Sequence, residues 1–296
     1  MARPTSPRLA SVVARQPLTV SDANEAQAKY WSELASNWLV VEERIEDISA
    51  QLGRLAMDRL ALRPGQEVID VGCGSGRTTR ELAARVSPGG RAMGVDIAAE
   101  MVAHAAAHAG SASAEFIRAD VQTEDLGNHR FDAAFSRFGV MFFTDPVAAF
   151  TNVRRALRPG GALSFVCWQT VFENEWMLIP GMVAASVTGA LPPAPAPEQP
   201  GPFSLADPAR IRSVLSGAGF DEIEVTRNND PLSIPEGRLS AFADQCTRVG
   251  AIREALREAD EGVRQQVLSG IEEALSAKLE RGEVRLSRGA HLVVAS

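Results

Sequence analysis

The chain has 296 residues, 45% of them hydrophobic, 23% charged and 6% aromatic, which is enough apolar material for a buried core and excludes disorder as its main state. At this length one enlarged domain with helical additions is expected over two independent folds, because single cores seldom grow beyond ~250 to 300 residues. Thirty basic against 37 acidic side chains give a formal charge of -7 with no basic stripe, which argues against a nucleic-acid partner.

Residues 1–20 alternate Arg, Pro and Ser with short apolar stretches and read as a flexible arm. The arm has neither a signal-peptide core nor the ~20 apolar residues of a membrane span. Between Asp22 and Leu62 apolar residues fall at helical spacing, first Trp31, Leu34 and Trp38, then Ile45, Ile48, Leu52 and Leu55, which predicts two amphipathic helices. After Arg63-Pro64-Gly65, short buried-strand runs alternate with helical stretches, as a parallel α/β sheet requires. The strands are expected at 68–71, 92–95, 116–117, 131–135 and 163–168, and the helices at 77–86, 98–109 and 146–157. A proline-rich stretch, Leu191 to Pro202, follows a looser helical segment and reads as a surface crossing or lid. A helix from Asp207-Pro208, a sixth strand at 222–225, two amphipathic helices over 239–279 and a last strand at 290–295 complete the chain. Cys73, Cys167 and Cys246 are too far apart for a metal pair and odd in number, which fits a reducing, cytoplasmic setting.

The chemistry-bearing run is Val68-Ile69-Asp70-Val71-Gly72-Cys73-Gly74-Ser75-Gly76-Arg77-Thr78-Thr79. A hydrophobic strand enters a glycine-rich turn and then a helix, so backbone can approach a ligand closely and helix N–H groups point at it. A dinucleotide fingerprint needs Gly or Ala where Arg77 stands, and a phosphate-binding loop needs Lys after Gly76 and a Gly at Val71. What remains is an acid, Asp70, two residues before the first of three alternating glycines.

Together with Gly94-Val95-Asp96-Ile97, Ala119-Asp120-Val121 and Arg158-Pro159-Gly160-Gly161, this run resembles class I S-adenosylmethionine-dependent methyltransferases, motif for motif over residues 64–168. Tyr30-Trp31, Ser136 to Phe143, Trp168, Asn174-x-Trp176 and Pro200 to Phe203 resemble a bacterial subfamily acting on small molecules. The resemblance implies a doubly wound, Rossmann-like, seven-stranded sheet with its last strand antiparallel and a helical cap. It divides the chain into an arm at 1–20, a helical cap at 21–62, a cofactor-binding core at 63–235 and 284–296 with a lid at about 190–203, and a helical cap insertion at 236–283. It also implies that Asp70 lies near the methionyl amino group, that Gly72, Cys73 and Gly74 pass close to the cofactor, and that Asp96 accepts the ribose hydroxyls. Asp120 is then expected at the adenine amino group, Ile97, Met101 and Val121 on the adenine faces, Ser136 at the methionyl end, and Thr78, Tyr30 and Trp38 as further contacts.

Methyl transfer from a sulfonium is an in-line displacement, so alignment and exclusion of water are the protein's main tasks. Trp31, Phe138, Met141, Phe142, Trp168, Trp176 and His291 are the expected substrate pocket, an aromatic-lined one. His291 and Tyr30 are the two candidate catalytic groups; packing of the cap and a satisfied structural histidine are the plainer readings of the same residues. His104 and His108 share a helix face, yet stand among alanines, and no metal is expected. The function read from the sequence is methylation of a small, aromatic metabolite in secondary metabolism, by a monomer or homodimer with no membrane or nucleic-acid partner. The alternatives are an adenosylmethionine-binding protein without transfer and an NAD-dependent oxidoreductase.

Overall fold

The computed structural model describes residues 20–111, 113–189 and 199–296, so the expected arm and most of the expected lid lie outside the described residues. The chain runs α1 (Val20–Asp58), β1 (Glu67–Val71), α2 (Arg77–Arg85), β2 (Arg91–Asp96), α3 (Ala99–Ala107), β3 (Ala114–Arg118), β4 (Phe131–Arg137), α4 (Pro146–Ala156) and β5 (Leu157–Trp168). It continues through α5 (Glu175–Thr188), α6 (Pro208–Gly217), β6 (Ile223–Asn228), β7 (Leu232–Pro235), α7 (Leu239–Arg248), α8 (Gly250–Ala255), α9 (Glu261–Ser276), β8 (Leu279–Glu280), β9 (Glu283–Leu286) and β10 (Ala290–Ala295).

Seven strands form one sheet in the order β3-β2-β1-β4-β5-β10-β6. Strands β1 to β5 pair in parallel, and β10 runs antiparallel to both β5 and β6. This is the Rossmann-like arrangement expected from the sequence. The central strands are covered on both faces, which is why Val68, Ile69 and Val71 in β1 and Phe165 and Val166 in β5 form nearly continuous apolar runs. Helix entries follow their capping chemistry: Asp145 accepts the Ala148 N–H before Pro146, and Asp207 accepts the Ala209 N–H before Pro208. Strand order reverses between β1 and β4, so the carboxyl ends of β1, β2 and β4 open on the place where such sheets bind ligands.

Three elements differ from expectation. The two N-terminal helices are one helix of 39 residues, about 58 Å long. Leu39 to Arg44 hold neither Gly nor Pro, so the change in apolar pattern marks a change of partner and not a break. The first half packs Trp31, Ala35, Trp38 and Leu39 on Ala98 and Met101 of α3, and the second half buries Ile48, Leu52 and Ala56 in the main core. The insertion has three helices where two were expected, because the backbone turns extended at Val249 (φ -135, ψ 158) and left-handed at Gly250 (φ +68), which separates α7 from α8. Its apolar stripe, Val267, Ile271 and Leu275 of α9, packs on α5 and α7, while Leu279 has left the helix for β8. A small antiparallel sheet, β7-β9-β8, was not foreseen, and it divides the expected 284–296 segment between two sheets.

Gly94 in β2 shows how tightly the sheet is packed beneath the glycine turn. A Cβ there would lie 2.6 Å from Thr79 Oγ1, 2.7 Å from Phe116 Cδ1 and 2.9 Å from Cys73 Sγ. Gly94→Ala is expected to destabilise by ~1 to 3 kcal/mol through overpacking, read as a lowered Tm. An unchanged Tm would mean that Thr79 turns aside freely.

Candidate functional site

The turn after β1 is built by backbone that L side chains rarely adopt: Gly72, Gly74 and Gly76 have φ of +70, +53 and +80. A Cβ on Gly72 would fall 2.8 Å from Gly139 Cα, whereas one on Gly74 would meet nothing within 4 Å. The turn is thus pinned on one side by the segment after β4 and open on the other. Gly72 and Cys73 N–H both donate to Val95 O, which ties the turn to β2.

Two carboxylates flank it. Asp70 is 0% exposed, and its Oδ2 accepts the hydroxyls of Thr78 and Thr79 at 2.6 Å each. Its Oδ1 is buried with no partner. Burial pushes the Asp70 carboxyl up to about 6, against the opposing pull of the two threonines and Arg137. Asp96, at the end of β2, accepts Gly74 N–H on Oδ2 and Ala98 N–H on Oδ1, both at 2.9 Å. Burial raises its carboxyl too, with those N–H groups opposing. Thr78 therefore serves the site through Asp70, and Cys73 contributes backbone, its thiol buried and pushed well above the ordinary value by burial.

The third carboxylate, Asp120, is already engaged: Oδ2 accepts Asn24 Nδ2 at 2.5 Å and Oδ1 accepts Gln122 N–H at 2.9 Å. Met101 and Val121 are buried, and Ile97 is half-buried beside them in sequence on β2's exit. Ser136 Oγ donates to Val71 O at 2.7 Å, joining the ends of β4 and β1. Three residues of α1 at this site, Asn24, Glu42 and Glu46, escaped the sequence reading. Glu42 of α1 accepts Ser75 Oγ and pairs with Arg77 Nε at 3.0 Å, and Glu46 takes both Arg137 Nη1 (2.8 Å) and Nη2 (2.9 Å). Arg137, next to Ser136, was the legible signal, a lone charge at the end of a buried strand.

The expected substrate side divides into two aromatic groups. Phe138 stacks on Trp168 at 3.9 Å and 14°, and Trp176 meets Trp168 edge-on at 5.2 Å. Trp31 meets Phe142 at 4.7 Å, with Tyr30 and Trp38 edge-on to Trp31 at 5.4 and 5.8 Å. Phe138 holds a φ of +65, uncommon for a bulky residue and a form of strain that concentrates at functional sites. Trp176 Nε1 donates to the buried Asn174 Oδ1.

Two residues are placed elsewhere. Met141 is 1% exposed; its Sδ accepts Trp168 N–H at 3.4 Å and its carbonyl accepts Ser204 Oγ and Gly201 N–H, so it anchors the wall from behind. His291 pairs with Cys167 in the β10–β5 ladder, one residue out of phase with Trp168, so it faces the other side of the sheet. There its Nε2 meets Ala206 O at 2.9 Å, Nδ1 is buried without a partner, and burial lowers its proton affinity. The structure does not bring His291 to Tyr30. Tyr30 lies near Arg253 and Glu254 of α8, and burial, then Glu254, raises its hydroxyl above the ordinary value. Among the described residues no cluster of three or more His, Cys, Asp or Glu could hold a metal, and no helix is long and apolar enough to cross a membrane.

A family described as methyltransferase domain matches residues 68–161. Nocamycin O-methyltransferase of Saccharothrix syringae is 30% identical over 194 residues, which cover 62% of this chain and 69% of that protein. Malonyl-[acyl-carrier protein] O-methyltransferase of Hahella chejuensis is 36% identical over 112 residues, 37% of this chain and 40% of that protein. The chain thus spans about two thirds of one curated relative and well under half of another. A solved putative methyltransferase from an antibiotic biosynthesis pathway of Anabaena variabilis superimposes with a TM-score of 0.60 at 11% identity, over 84% of this chain and 97% of that one, a likeness of fold.

Proposed function

The chain belongs to the class I S-adenosylmethionine-dependent methyltransferases, and from that premise we propose that it binds S-adenosylmethionine at the Gly72–Gly76 turn and methylates a small, aromatic metabolite. The observation that carries the reading is the unpartnered, buried Oδ1 of Asp70 at a turn whose Gly74 flank is open, with the Asp96 carboxylate hydrogen-bonded to that same glycine. A buried acceptor without a donor is expensive, and a ligand ammonium is the partner it lacks.

In this reading Asp70 holds the methionyl ammonium, Asp96 the ribose hydroxyls and Asp120 the adenine amino group, with Ile97, Met101, Val121 and Trp38 around the ring. Ser136 and Arg137 stand at the methionyl end. The cofactor supplies an electrophilic methyl, so the chain's own residues have only to orient the acceptor, exclude water and, for a hydroxyl acceptor, take a proton. Phe138, Trp168 and Trp176, with Trp31 and Phe142, offer flat apolar surface for an aromatic acceptor. Helix α1 and the α7–α9 insertion form the cap over it. The name of the nocamycin relative supports a place in secondary metabolism. The free cysteines support a reducing, cytoplasmic setting, and the net charge of -7 argues against a nucleic-acid partner.

Calorimetric titration with adenosylmethionine, adenosylhomocysteine and NAD(H), then methyl-release turnover with small-molecule extracts, tests this; NAD(H) binding alone would sink it. Positioning is expected to carry the reaction. His291→Ala and Tyr30→Phe should each lower kcat less than about tenfold, whereas a general base contributes ~100- to 10,000-fold. Trp176→Ala or Phe142→Ala should raise KM about tenfold. If His291→Ala alone removes nearly all turnover with cofactor affinity intact, His291 is a base and the positioning account fails.

A further inference from the structure

Arg288, in the link between β9 and β10, is 3% exposed, and no other arginine or lysine among the described residues is buried. Its Nη1 donates to Ile48 O at 2.8 Å and its Nη2 to Gln51 Oε1 at 3.0 Å, both in α1, while its Nε is buried with no partner. Neither acceptor carries a charge. Arg137, the other arginine held under α1, differs in this respect, because Glu46 takes both of its terminal nitrogens. Among the described residues Arg288 forms no ion pair; burial works against its charge, and Asp230 favours that charge only from beyond contact. A guanidinium stays protonated at any ordinary pH, so the site holds a buried cation that is costly until a counter-charge arrives. A water could satisfy the Nε–H, yet it would leave the charge uncompensated.

The strand register places this cation beside the aromatic wall. Ala290 pairs with Trp168, and the ladder runs one step further, where Gln169 N–H donates to Gly289 O. Arg288 stands two residues before Ala290, so it takes the same face of the sheet as Trp168, the face on which Ser164 Oγ donates to Ala56 O of α1. Its two neighbours hold the wall in place. Ser287 N–H donates to Glu175 Oε2, and Gly289 N–H donates to Asn174 Oδ1, which also accepts Trp176 Nε1. We infer that Arg288 is the anion anchor of the acceptor site: the substrate is an aromatic carboxylic acid whose carboxylate meets the Nε edge of Arg288 while its ring lies against Phe138 and Trp176. This rests on the methyltransferase reading above and names its substrate class. A planar carboxylate matches the guanidinium fork, and its single charge matches the one buried cation left unpaired, whereas a phosphate dianion would remain half compensated.

The test is calorimetric titration of the whole chain, saturated with adenosylhomocysteine, with salicylate, cinnamate and naphthoate and with the neutral primary amide of each. At least one acid should bind the wild type about tenfold or more tightly than its amide, because hydrogen bonds between charged groups gain more than those to a neutral one. Arg288→Gln should lower the affinity for that acid to the level of its amide, and leave the affinities for the amide and for adenosylhomocysteine unchanged. Arg288→Met fills most of the same volume without charge, so it reads the same loss if the glutamine variant misfolds. Trp176→Ala should instead weaken acid and amide alike, which separates the ring from the charge. Equal binding of acids and amides by the wild type, or a preference for the acid that survives in Arg288→Gln, would overturn the anchor. Binding of adenosylhomocysteine without any of the acids overturns the anchor alone. No binding of adenosylhomocysteine overturns the cofactor reading and the anchor together.

Discussion

Asp96→Ala is expected to weaken adenosylhomocysteine binding at least about a hundredfold, since two charge-assisted hydrogen bonds at ~1.5 to 3 kcal/mol each are removed from the ribose hydroxyls. The carboxylate has a second task in the free protein, where it accepts Gly74 and Ala98 N–H and so ties the glycine turn to the entry of α3. Asp96→Asn keeps one acceptor oxygen for those N–H groups, so it should fold more like the wild type while still binding weakly. Calorimetry and thermal melts on the pair separate the two tasks. Full affinity in a folded Asp96→Ala protein would remove the ribose assignment.

How much of this was legible depended on whether a residue's partner lies nearby in sequence. Asp70, Gly72 and Gly74 declare themselves because strand, turn and helix are contiguous, and the backbone of the turn needs glycine whatever surrounds it. Asp96 was legible because it ends the buried strand β2, whereas Asp120, after the largely exposed edge strand β3, was legible only through its place in the ordered motifs. The central strands were legible as buried apolar runs, and the edge strands β3 and β6 through the regular alternation of strand and helix around them. Asn24, Glu42 and Glu46 gave no such signal: an amide and two carboxylates on a polar helix face look solvated until Asp120, Ser75 and Arg137 are folded against them. His291 illustrates the opposite error. A polar residue in an apolar strand stands out, but the pleat decides which face it takes, and a shift of one residue separates the Trp168 side from the Ala206 side. The small sheet β7-β9-β8 was illegible because strands of two to four residues carry too little alternation to detect.

Asp70→Asn should make the protein more stable at neutral pH and a poorer binder, because the two effects have one cause. A carboxyl held at about 6 instead of 3.8 favours the folded state fully below pH 4, and that advantage is lost as pH rises through 6. Above that the ionised, buried carboxylate costs about 3 kcal/mol relative to a side chain that never ionises. The asparagine carbonyl can still accept from Thr78 and Thr79, which makes the exchange a test of charge more than of shape. An incoming ammonium reverses the balance, since only the ionised form pairs with it. Adenosylhomocysteine affinity should therefore fall about tenfold per pH unit below 6, and binding near pH 5 should release about one proton, visible as a buffer-dependent calorimetric enthalpy. Asp70→Asn should melt higher at pH 7.5, bind at least about tenfold more weakly there, and lose the pH dependence. A variant that keeps the wild-type pH profile would place the titrating group elsewhere, and one that melts no higher would mean that water already solvates the Oδ1 side.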